Sequence, residues 1–179
     1  GKTAAFGLPM LNNIANRKAI SSIILAPTRE LAIQVHDELV KLAKYEKLNV
    51  VAVYGGAPIH NQIRDIKKAN IVVGTPGRVL DHIRRGTLPL DSVEFLVLDE
   101  ADEMLNMGFI DDMEEIMKSI PEERQTLLFS ATMPSQIKKL TKKYLKEDSV
   151  HIAIARLAQQ LLKTFLKLII VKGLKLYAD

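Results

Sequence analysis

The chain has 179 residues, enough for one domain that buries most of its apolar surface around a single core. It has no cysteine, which excludes disulfides and thiolate metal sites and favours a reducing compartment such as the cytoplasm or a nucleus, and its four histidines lack metal-ligand spacing. The formal net charge of +4 is uneven: residues 133–179 carry 10 Lys and Arg against 3 Asp and Glu, which leaves 15 against 18 for residues 1–132. Composition alone therefore does not indicate nucleic-acid binding.

Short apolar runs of strand length alternate with helical patterns along the chain. The runs are residues 20–26, 50–54, 70–73, 93–98, 126–129 and 150–154. Such alternation predicts an α/β fold with an open parallel sheet. The runs are almost continuously apolar, which is typical of strands covered by helices on both faces.

The clearest helix pattern follows the first run. Leu31, Val35, Leu39 and Leu42 recur at intervals of three or four residues, as on one face of a helix. Thr28 precedes this pattern and is a favourable N-cap residue. We therefore predict a helix that begins after Thr28 and packs on the sheet through this apolar face.

Polar or glycine-rich segments stand directly after four of the predicted strands, and a glycine pair follows a fifth. Ligands of open α/β sheets bind at the carboxyl ends of the strands, so these segments are predicted to face one surface. The four are Pro27-Thr28-Arg29-Glu30, Gly74-Thr75-Pro76-Gly77-Arg78, Asp99-Glu100-Ala101-Asp102 and Ser130-Ala131-Thr132, and the pair is Gly55-Gly56. Each could be a turn with a helix cap if it stood alone.

Two carboxylates, Asp99 and Glu100, stand where the strand of residues 93–98 ends. In nucleotide-hydrolysing enzymes, one carboxylate at such a place faces the metal that bridges the β- and γ-phosphates, and its neighbour reaches the attacking water. Gly1-Lys2-Thr3 reads as the end of the phosphate-binding loop G-x-x-x-x-G-K-[ST]. The sequence therefore predicts both parts of a nucleotide site, the phosphate-binding loop and the carboxylates for the metal and the attacking water.

The motifs in order over residues 1–132 resemble the first, N-terminal RecA-like domain of DEAD-box RNA helicases. They are Gly-Lys-Thr, Pro-Thr-Arg-Glu-Leu-Ala, Gly-Gly, Thr-Pro-Gly-Arg, Asp-Glu-Ala-Asp and Ser-Ala-Thr. The resemblance extends to about residue 154. It implies a three-layer α/β/α fold and an ATP-dependent helicase that binds ATP, Mg²⁺ and RNA and works with a second RecA-like domain.

The resemblance also implies roles for the nucleotide-site residues. Gly1, Lys2 and Thr3 would bind the nucleotide, with Lys2 on the phosphates. Thr3 and Asp99 would hold magnesium, Asp99 through water, and Glu100 would position and deprotonate the attacking water. Each role suits the chemistry of its side chain.

A second set of residues would connect ATP to closure around RNA. By resemblance, Asp102 would be hydrogen-bonded to Ser130 and Thr132, whose hydroxyls can donate to a carboxylate without adding charge. The alternative for the two hydroxyls is to cap the helix that follows Pro134.

The remaining motif residues would form the RNA surface. Hydroxyl, guanidinium and exposed backbone N–H groups suit phosphate oxygens, and glycines let the sugar–phosphate chain come close, so contacts to the RNA backbone without base sequence are expected. These residues are Pro27, Thr28, Arg29, Gly55, Gly56, Thr75, Gly77 and Arg78. A simple turn is the alternative for the glycine pair.

Three features of the family are absent from the sequence as given: the strand and glycines before Gly1, the glutamine-bearing segment that reads adenine, and the second RecA-like domain with its arginine finger. We expect a helicase domain at 1–154, truncated within the phosphate-binding loop. Residues 155–179 are predicted as a linker or the start of a second domain. Within them, residues 161–172 also fit an amphipathic basic helix, or a strand that completes the same sheet.

Two other functions fit the motifs less well. One is a DNA-directed helicase or translocase of the same superfamily, against which Asp-Glu-Ala-Asp and Pro-Thr-Arg-Glu-Leu favour RNA. The other is a chain that binds partners or nucleic acid without turnover, which would show no saturable ATP binding.

Overall fold

A computed structural model of the chain describes residues 2–14, 17–145, 149–152 and 168–171. Helices and strands alternate along these ranges. The helices are α1 (Lys2–Ile14), α2 (Arg29–Leu42), α3 (Ile59–Ile66), α4 (Pro76–Arg84), α5 (Ala101–Asn106), α6 (Ile110–Ser119) and α7 (Ser135–Tyr144). The strands are β1 (Ser22–Leu25), β2 (Val50–Val53), β3 (Ile71–Gly74), β4 (Phe95–Leu98), β5 (Gln125–Ser130), β6 (Val150–Ile152) and β7 (Leu168–Val171). Each of the six predicted runs overlaps one strand, and none of the described helices is long and apolar enough to cross a membrane.

All the described strands form one sheet in the order β2-β3-β1-β4-β5-β7-β6. Each neighbouring pair among β2, β3, β1, β4 and β5 is parallel, which confirms the predicted open parallel sheet. The sheet continues with β7, antiparallel to β5, and then with β6, antiparallel to β7. Antiparallel strands at the edge of a parallel sheet are common.

Hydrogen bonds between neighbouring strands continue past the strand ends into the loops. The Asp99 N–H donates to the Leu25 carbonyl at 2.9 Å, and the Ala26 N–H donates to the Gly74 carbonyl at 2.9 Å. The loops that follow β1, β3 and β4 are therefore held in register where they leave the sheet.

Helices cover both faces of the sheet, as the apolar strand runs predict. Along β1 and the residue after it, Ile23 and Leu25 belong to one buried cluster, whereas Ile24 and Ala26 belong to the other, because successive side chains of an extended chain point to opposite faces. The first cluster is closed by α3 to α7 and the second by α1 and α2. The result is the predicted three-layer α/β/α arrangement.

Helix α2 confirms the prediction from the sequence pattern. Thr28 is its N-cap, and the Thr28 hydroxyl accepts a hydrogen bond from the Leu31 N–H at 3.2 Å. Val35 and Leu39 are buried against the sheet, and Leu42 packs at the edge of the same cluster.

Part of the C-terminal tail forms a strand of this same sheet, as one of the three alternatives for residues 161–172 requires. In β7, Leu168 pairs with Ser130 and Val171 pairs with Leu127. Residues 153–167 and 172–179 lie outside the described ranges. The domain boundary at residue 154 stays a prediction.

Candidate nucleotide and nucleic-acid site

The strand order sorts the predicted site residues into two neighbouring groups at the carboxyl edge of the sheet. The segments predicted for RNA follow β2, β3 and β1, which are adjacent strands. The segments predicted for nucleotide chemistry follow β4 and β5, which come next in the sheet. The end of β1 is therefore the border between the two groups.

Lys2, Asp99 and Glu100 meet where β4 ends. The Lys2 ammonium donates to Asp99 Oδ1 and lies 3.7 Å from Glu100 Oε1. The Asp99 side chain is 2% exposed, whereas Lys2 and Glu100 are 24% and 21% exposed. A buried, paired carboxylate thus lies beside an ammonium and a second carboxylate that both reach the surface.

Close packing of α1 against the body of the domain brings Lys2 to this edge. A Cβ atom on Gly7 would lie 3.0 Å from Leu39 Cδ2 and 3.1 Å from Leu42 Cδ1, so glycine lets α1 approach α2 closely. On the same face, the Phe6 ring packs against that of Phe129, with the centroids 5.5 Å apart. The sequence patterns predicted the apolar face with Leu39 and Leu42, but they did not point to Phe6 or Gly7.

Glu100 leaves β4 through an unusual backbone conformation. Its φ of 55° and ψ of 52° are left-handed, and it is the only non-glycine residue with positive φ in the described ranges. This conformation costs an ordinary residue about 1–2 kcal/mol. Such strain is concentrated at functional sites, so it supports a role for Glu100 beyond capping α5.

Thr3 and Asp99 supply the oxygen atoms that magnesium prefers. Thr3 is buried in the first turn of α1, and Gly1 lies outside the described residues. Mg²⁺ is usually held by one or two protein oxygens together with substrate phosphates. In the described part of the chain, no group of three or more His, Cys, Asp or Glu side chains could hold a metal by itself. The donor set fits magnesium that arrives with a nucleotide.

Asp102 is joined to the segment after β5. Its Oδ2 accepts from the Thr132 hydroxyl at 2.9 Å and from the Thr132 N–H at 3.0 Å. Burial alone would raise the pKa of the Asp102 carboxyl, but hydrogen bonding by Thr132, Ser130 and the Ala131 N–H outweighs burial and lowers this pKa. The carboxylate is therefore held ionised.

Ser130 completes this connection through backbone groups. Its hydroxyl accepts from the Asp102 N–H at 3.1 Å and donates to the Thr132 carbonyl at 2.6 Å. The cap position of α7 is Pro134, and no side chain forms a capping hydrogen bond there. The two hydroxyls thus bind within the Asp102 cluster rather than capping α7.

The segment after β1 combines a buried proline with an exposed arginine. Pro27 is buried under the loop that follows β1, and Thr28 caps α2. Arg29 is exposed and its guanidinium lies 4.9 Å from the centre of the Tyr54 ring. Stacking of this kind orients an arginine without using its N–H donors.

The glycines of the loops after β2 and β3 are exposed. A Cβ atom on Gly55 or Gly56 would meet no atom within 4 Å, and Gly56 has a φ of 79°. Gly77 is exposed in the first turn of α4, which begins after Thr75. The Gly55 and Gly56 backbones are therefore open toward the solvent, whereas a Cβ atom on Gly77 would lie 3.6 Å from Asp112 Oδ2.

Arg78 is mostly covered, unlike Arg29. Its side chain is 16% exposed, and Nη1 donates to the Ala57 carbonyl at 3.0 Å and to Gln62 Oε1 at 3.1 Å. Gln62 also contacts His82, which is buried as a packing histidine. The sequence did not reveal Gln62, because single polar residues on amphipathic helices are common and its partners come from distant positions.

A sequence model described as DEAD/DEAH box helicase matches residues 1–140. The chain belongs to this family. Relatives named ATP-dependent RNA helicase CshA include one from Listeria monocytogenes, 62% identical over 147 residues that cover 81% of this chain and 28% of the relative. Another, from Bacillus subtilis (strain 168), is 55% identical over 156 residues that cover 86% of this chain and 31% of the relative. The chain thus spans about three-tenths of the length of these curated relatives.

Solved structures of DEAD-box proteins share the fold. A DEAD box protein from the hyperthermophile Methanococcus jannaschii is 45% identical with a TM-score of 0.80, covering 92% of this chain and 50% of that one. A hypothetical ATP-dependent RNA helicase from Sulfolobus tokodaii is 41% identical with a TM-score of 0.76, covering 82% and 43%. The RecA-like DEAD-box fold is therefore confirmed.

Proposed function

We propose that this DEAD-box domain binds ATP with Mg²⁺ and the RNA backbone, and couples ATP hydrolysis to duplex unwinding when joined to a second RecA-like domain. The observation that carries the proposal is the convergence of Lys2, Asp99 and Glu100 at the end of β4. The names of the similar helicases agree with it. A cytoplasmic location remains part of the proposal and rests on the cysteine-free composition.

The nucleotide-site residues divide the chemistry among them. Lys2 neutralises the phosphates, and Thr3 and Asp99 hold magnesium, which when bound supplies charge neutralisation at the β- and γ-phosphates. Glu100 reaches the surface beside them and takes the proton of the attacking water. Asp102, together with Ser130 and Thr132, couples the binding and hydrolysis of ATP to closure of the protein around RNA.

The RNA surface comprises the exposed groups after β1, β2 and β3. Arg29 supplies a guanidinium for a phosphate. Backbone N–H groups of the loop of residues 54–57, called the glycine loop, and of the start of α4 supply uncharged donors. Thr28 and Thr75 flank these donors. Contacts of this type hold the sugar–phosphate chain and carry no base sequence.

Lys2→Ala and Glu100→Gln in a protein with two RecA-like domains test the nucleotide half. Lys2→Ala should abolish ATP binding, measured with a fluorescent ATP analogue. Glu100→Gln should keep ATP and RNA binding and slow RNA-stimulated phosphate release by about 10²–10⁴-fold, the usual contribution of a general base. Exposed Lys44→Ala and Glu103→Gln are the matched controls.

The same assay separates the competing functions. Undiminished turnover in Lys2→Ala would contradict the nucleotide site. Equal stimulation by single-stranded DNA and RNA would indicate a DNA-directed translocase, and absence of saturable ATP binding in the unmodified protein would indicate a non-enzymatic binding role.

A further inference from the structure

The Gln62 side chain connects two of the proposed RNA segments. Gln62 lies on α3, only 6% of it is exposed, and both ends of its amide are used. Its Nε2 donates to the Tyr54 carbonyl at 2.9 Å. Its Oε1 accepts from Arg78 Nη1 at 3.1 Å and lies 2.9 Å from His82 Nε2.

Arg78 and the Tyr54 carbonyl fix which way this amide points, because the guanidinium can only donate and the carbonyl can only accept. Burial lowers the pKa of His82, and the positive charge of Arg78 acts in the same direction, so the ring is neutral at neutral pH. The oxygen of Gln62 can only accept, so His82 Nε2 donates to it, while Nδ1 lies 2.8 Å from the Thr87 hydroxyl oxygen, which also donates to the His82 carbonyl at 3.1 Å. If the amide were flipped, its N–H groups would face the N–H group of Arg78, and its oxygen would face the Tyr54 carbonyl oxygen.

The amide holds the glycine loop from both sides. Gln62 binds the Tyr54 carbonyl before Gly55-Gly56, and Arg78, held by Gln62, binds the Ala57 carbonyl after them at 3.0 Å. The glycines themselves have no neighbour within 4 Å of a Cβ position. The shape of this loop is therefore set by its flanking carbonyls.

The connection reaches the third segment through Tyr54. The Tyr54 ring carries the Arg29 guanidinium at 4.9 Å, and its own carbonyl is the one that Gln62 binds. A change at Gln62 therefore shifts both the loop and the residue on which Arg29 stacks.

We propose that Gln62 is a positioning residue for RNA: its buried amide holds the 54–57 loop, Arg78 and, through Tyr54, Arg29 in the one arrangement that fits a sugar–phosphate backbone. The inference deepens the proposed function and rests on it, because it assigns no contact between Gln62 and RNA. His82 adds a third hydrogen bond to the same amide, at Oε1. The glycine loop is then presented to RNA as a preformed shape.

Gln62→Met tests this inference in the full chain, because Met is similar in volume and makes none of the three hydrogen bonds. The probe is a fluorescein-labelled single-stranded uridine oligonucleotide, titrated at several salt concentrations. RNA affinity should fall about tenfold, the loss expected for one or two charge-assisted contacts. The slope of log affinity against log salt should also decrease by about one, because a phosphate contact is lost.

The salt slope separates positioning from simple loss of structure. Partial unfolding lowers the RNA-binding fraction at saturation but leaves the slope of the folded molecules unchanged. Gln34→Met, the same change at an exposed position of α2, should match the unmodified chain in both measurements. If Gln62→Met does not fold, Gln62→Glu is used in its place. Glu keeps an oxygen that accepts from Arg78 but places its second oxygen against the Tyr54 carbonyl oxygen. The same decreases in RNA affinity and in salt slope are expected.

Arg78→Ala distinguishes failure of the inference from failure of the proposed function. Normal RNA affinity and slope in the Gln62 variant, together with weakened binding by Arg78→Ala, would overturn the inference and leave the RNA site in place. Absence of RNA binding by the unmodified chain would overturn both.

Discussion

Gly55 and Gly74 lie at the ends of neighbouring strands, yet the space around them differs. A Cβ atom on Gly74 would lie 2.5 Å from Val79 Cγ2 and 2.7 Å from the Val53 carbonyl oxygen. A Cβ atom on Gly55 would meet no atom within 4 Å. The fold therefore requires glycine at position 74, and any requirement at position 55 has to come from a ligand.

Alanine at these two glycines should separate stability from binding. Gly55→Ala should leave the free energy of unfolding within about 0.5 kcal/mol of the original value, because its Cβ has open space. RNA affinity should fall about fivefold if the new methyl group displaces one backbone contact of about 1 kcal/mol. Gly74→Ala should cost about 2 kcal/mol or more, because the clash includes backbone. Chemical unfolding and RNA titration measure both, and unchanged RNA affinity in Gly55→Ala would contradict the close approach of RNA.

Asp102 makes stability depend on pH with a definite sign. Its folded pKa lies below the ordinary value of 3.8, so its contribution is fully present above that pH and is lost as the pH falls through the folded pKa. Thr132→Val removes one hydrogen bond to the carboxylate and raises the folded pKa. The variant should therefore lose less unfolding free energy than the original chain between pH 7 and pH 3.

Urea unfolding at the two pH values measures this difference. Thr141→Val is the control, since the Thr141 hydroxyl donates to the Lys138 carbonyl on its own helix. Identical pH dependence in Thr132→Val and the original chain would show that the Thr132 hydroxyl does not stabilise the ionised form of Asp102.

At the scale of helices and strands, the spacing of apolar residues predicted the elements correctly, but the way in which α1 packs could not be predicted from the sequence. The spacing of apolar residues predicted α2 with its cap at Thr28, and the continuous apolar runs predicted the five parallel strands. The position of α1 depends on the contact of Gly7 with α2, and no local sequence pattern predicts this contact between separate helices. Within residues 161–172 the lysine spacing fits an amphipathic helix, whereas the apolar stretch 165–171 fits a strand, so the pairing of β7 with β5 could not be chosen from the sequence.

Helix α1 provides the prediction at this scale. Gly7→Val should destabilise the domain by about 1–3 kcal/mol, because the branched side chain must push α1 away from Leu39 and Leu42. The shift moves Lys2 from the carboxylates, so ATP affinity should fall as well. Leu8→Val is the control, since it places the same side chain on the exposed side of the helix, where Leu8 is 55% exposed. Equal unfolding free energies in the two variants would contradict tight helix packing at Gly7.

For the whole molecule, the motifs predicted which residues meet at one edge, whereas the network around Gln62 emerged only from the folded chain. Five of the six motifs follow strands, so topology brings them together, whereas Gly-Lys-Thr reaches the same edge through the packing of α1. Gln62 finds partners at positions 54, 78 and 82, and no spacing in the sequence relates these four residues.

The 179-residue chain by itself should show no RNA-stimulated ATP hydrolysis and no unwinding. The proposed function assigns the arginine that stabilises the transition state and the rest of the RNA-binding surface to a second RecA-like domain, and such arginines contribute roughly 10³–10⁵-fold in other nucleotide hydrolases. Phosphate release with and without RNA checks this, and addition of a second domain should restore stimulation. Stimulated turnover by the chain alone would show that it supplies the missing groups itself.

The backbone hydrogen bonds at the end of β1 have a mechanical consequence. The Leu25 carbonyl accepts from the Asp99 N–H on one side, and the Ala26 N–H donates to the Gly74 carbonyl on the other, so adjacent residues are bonded to the segment proposed for the nucleotide and to the segment proposed for RNA. Sliding one side past the other would break buried hydrogen bonds, each costly to leave unmade. The surfaces proposed for ATP and for RNA are therefore parts of one stiff body, and under the proposed function any motion that couples them has to move this body as a whole.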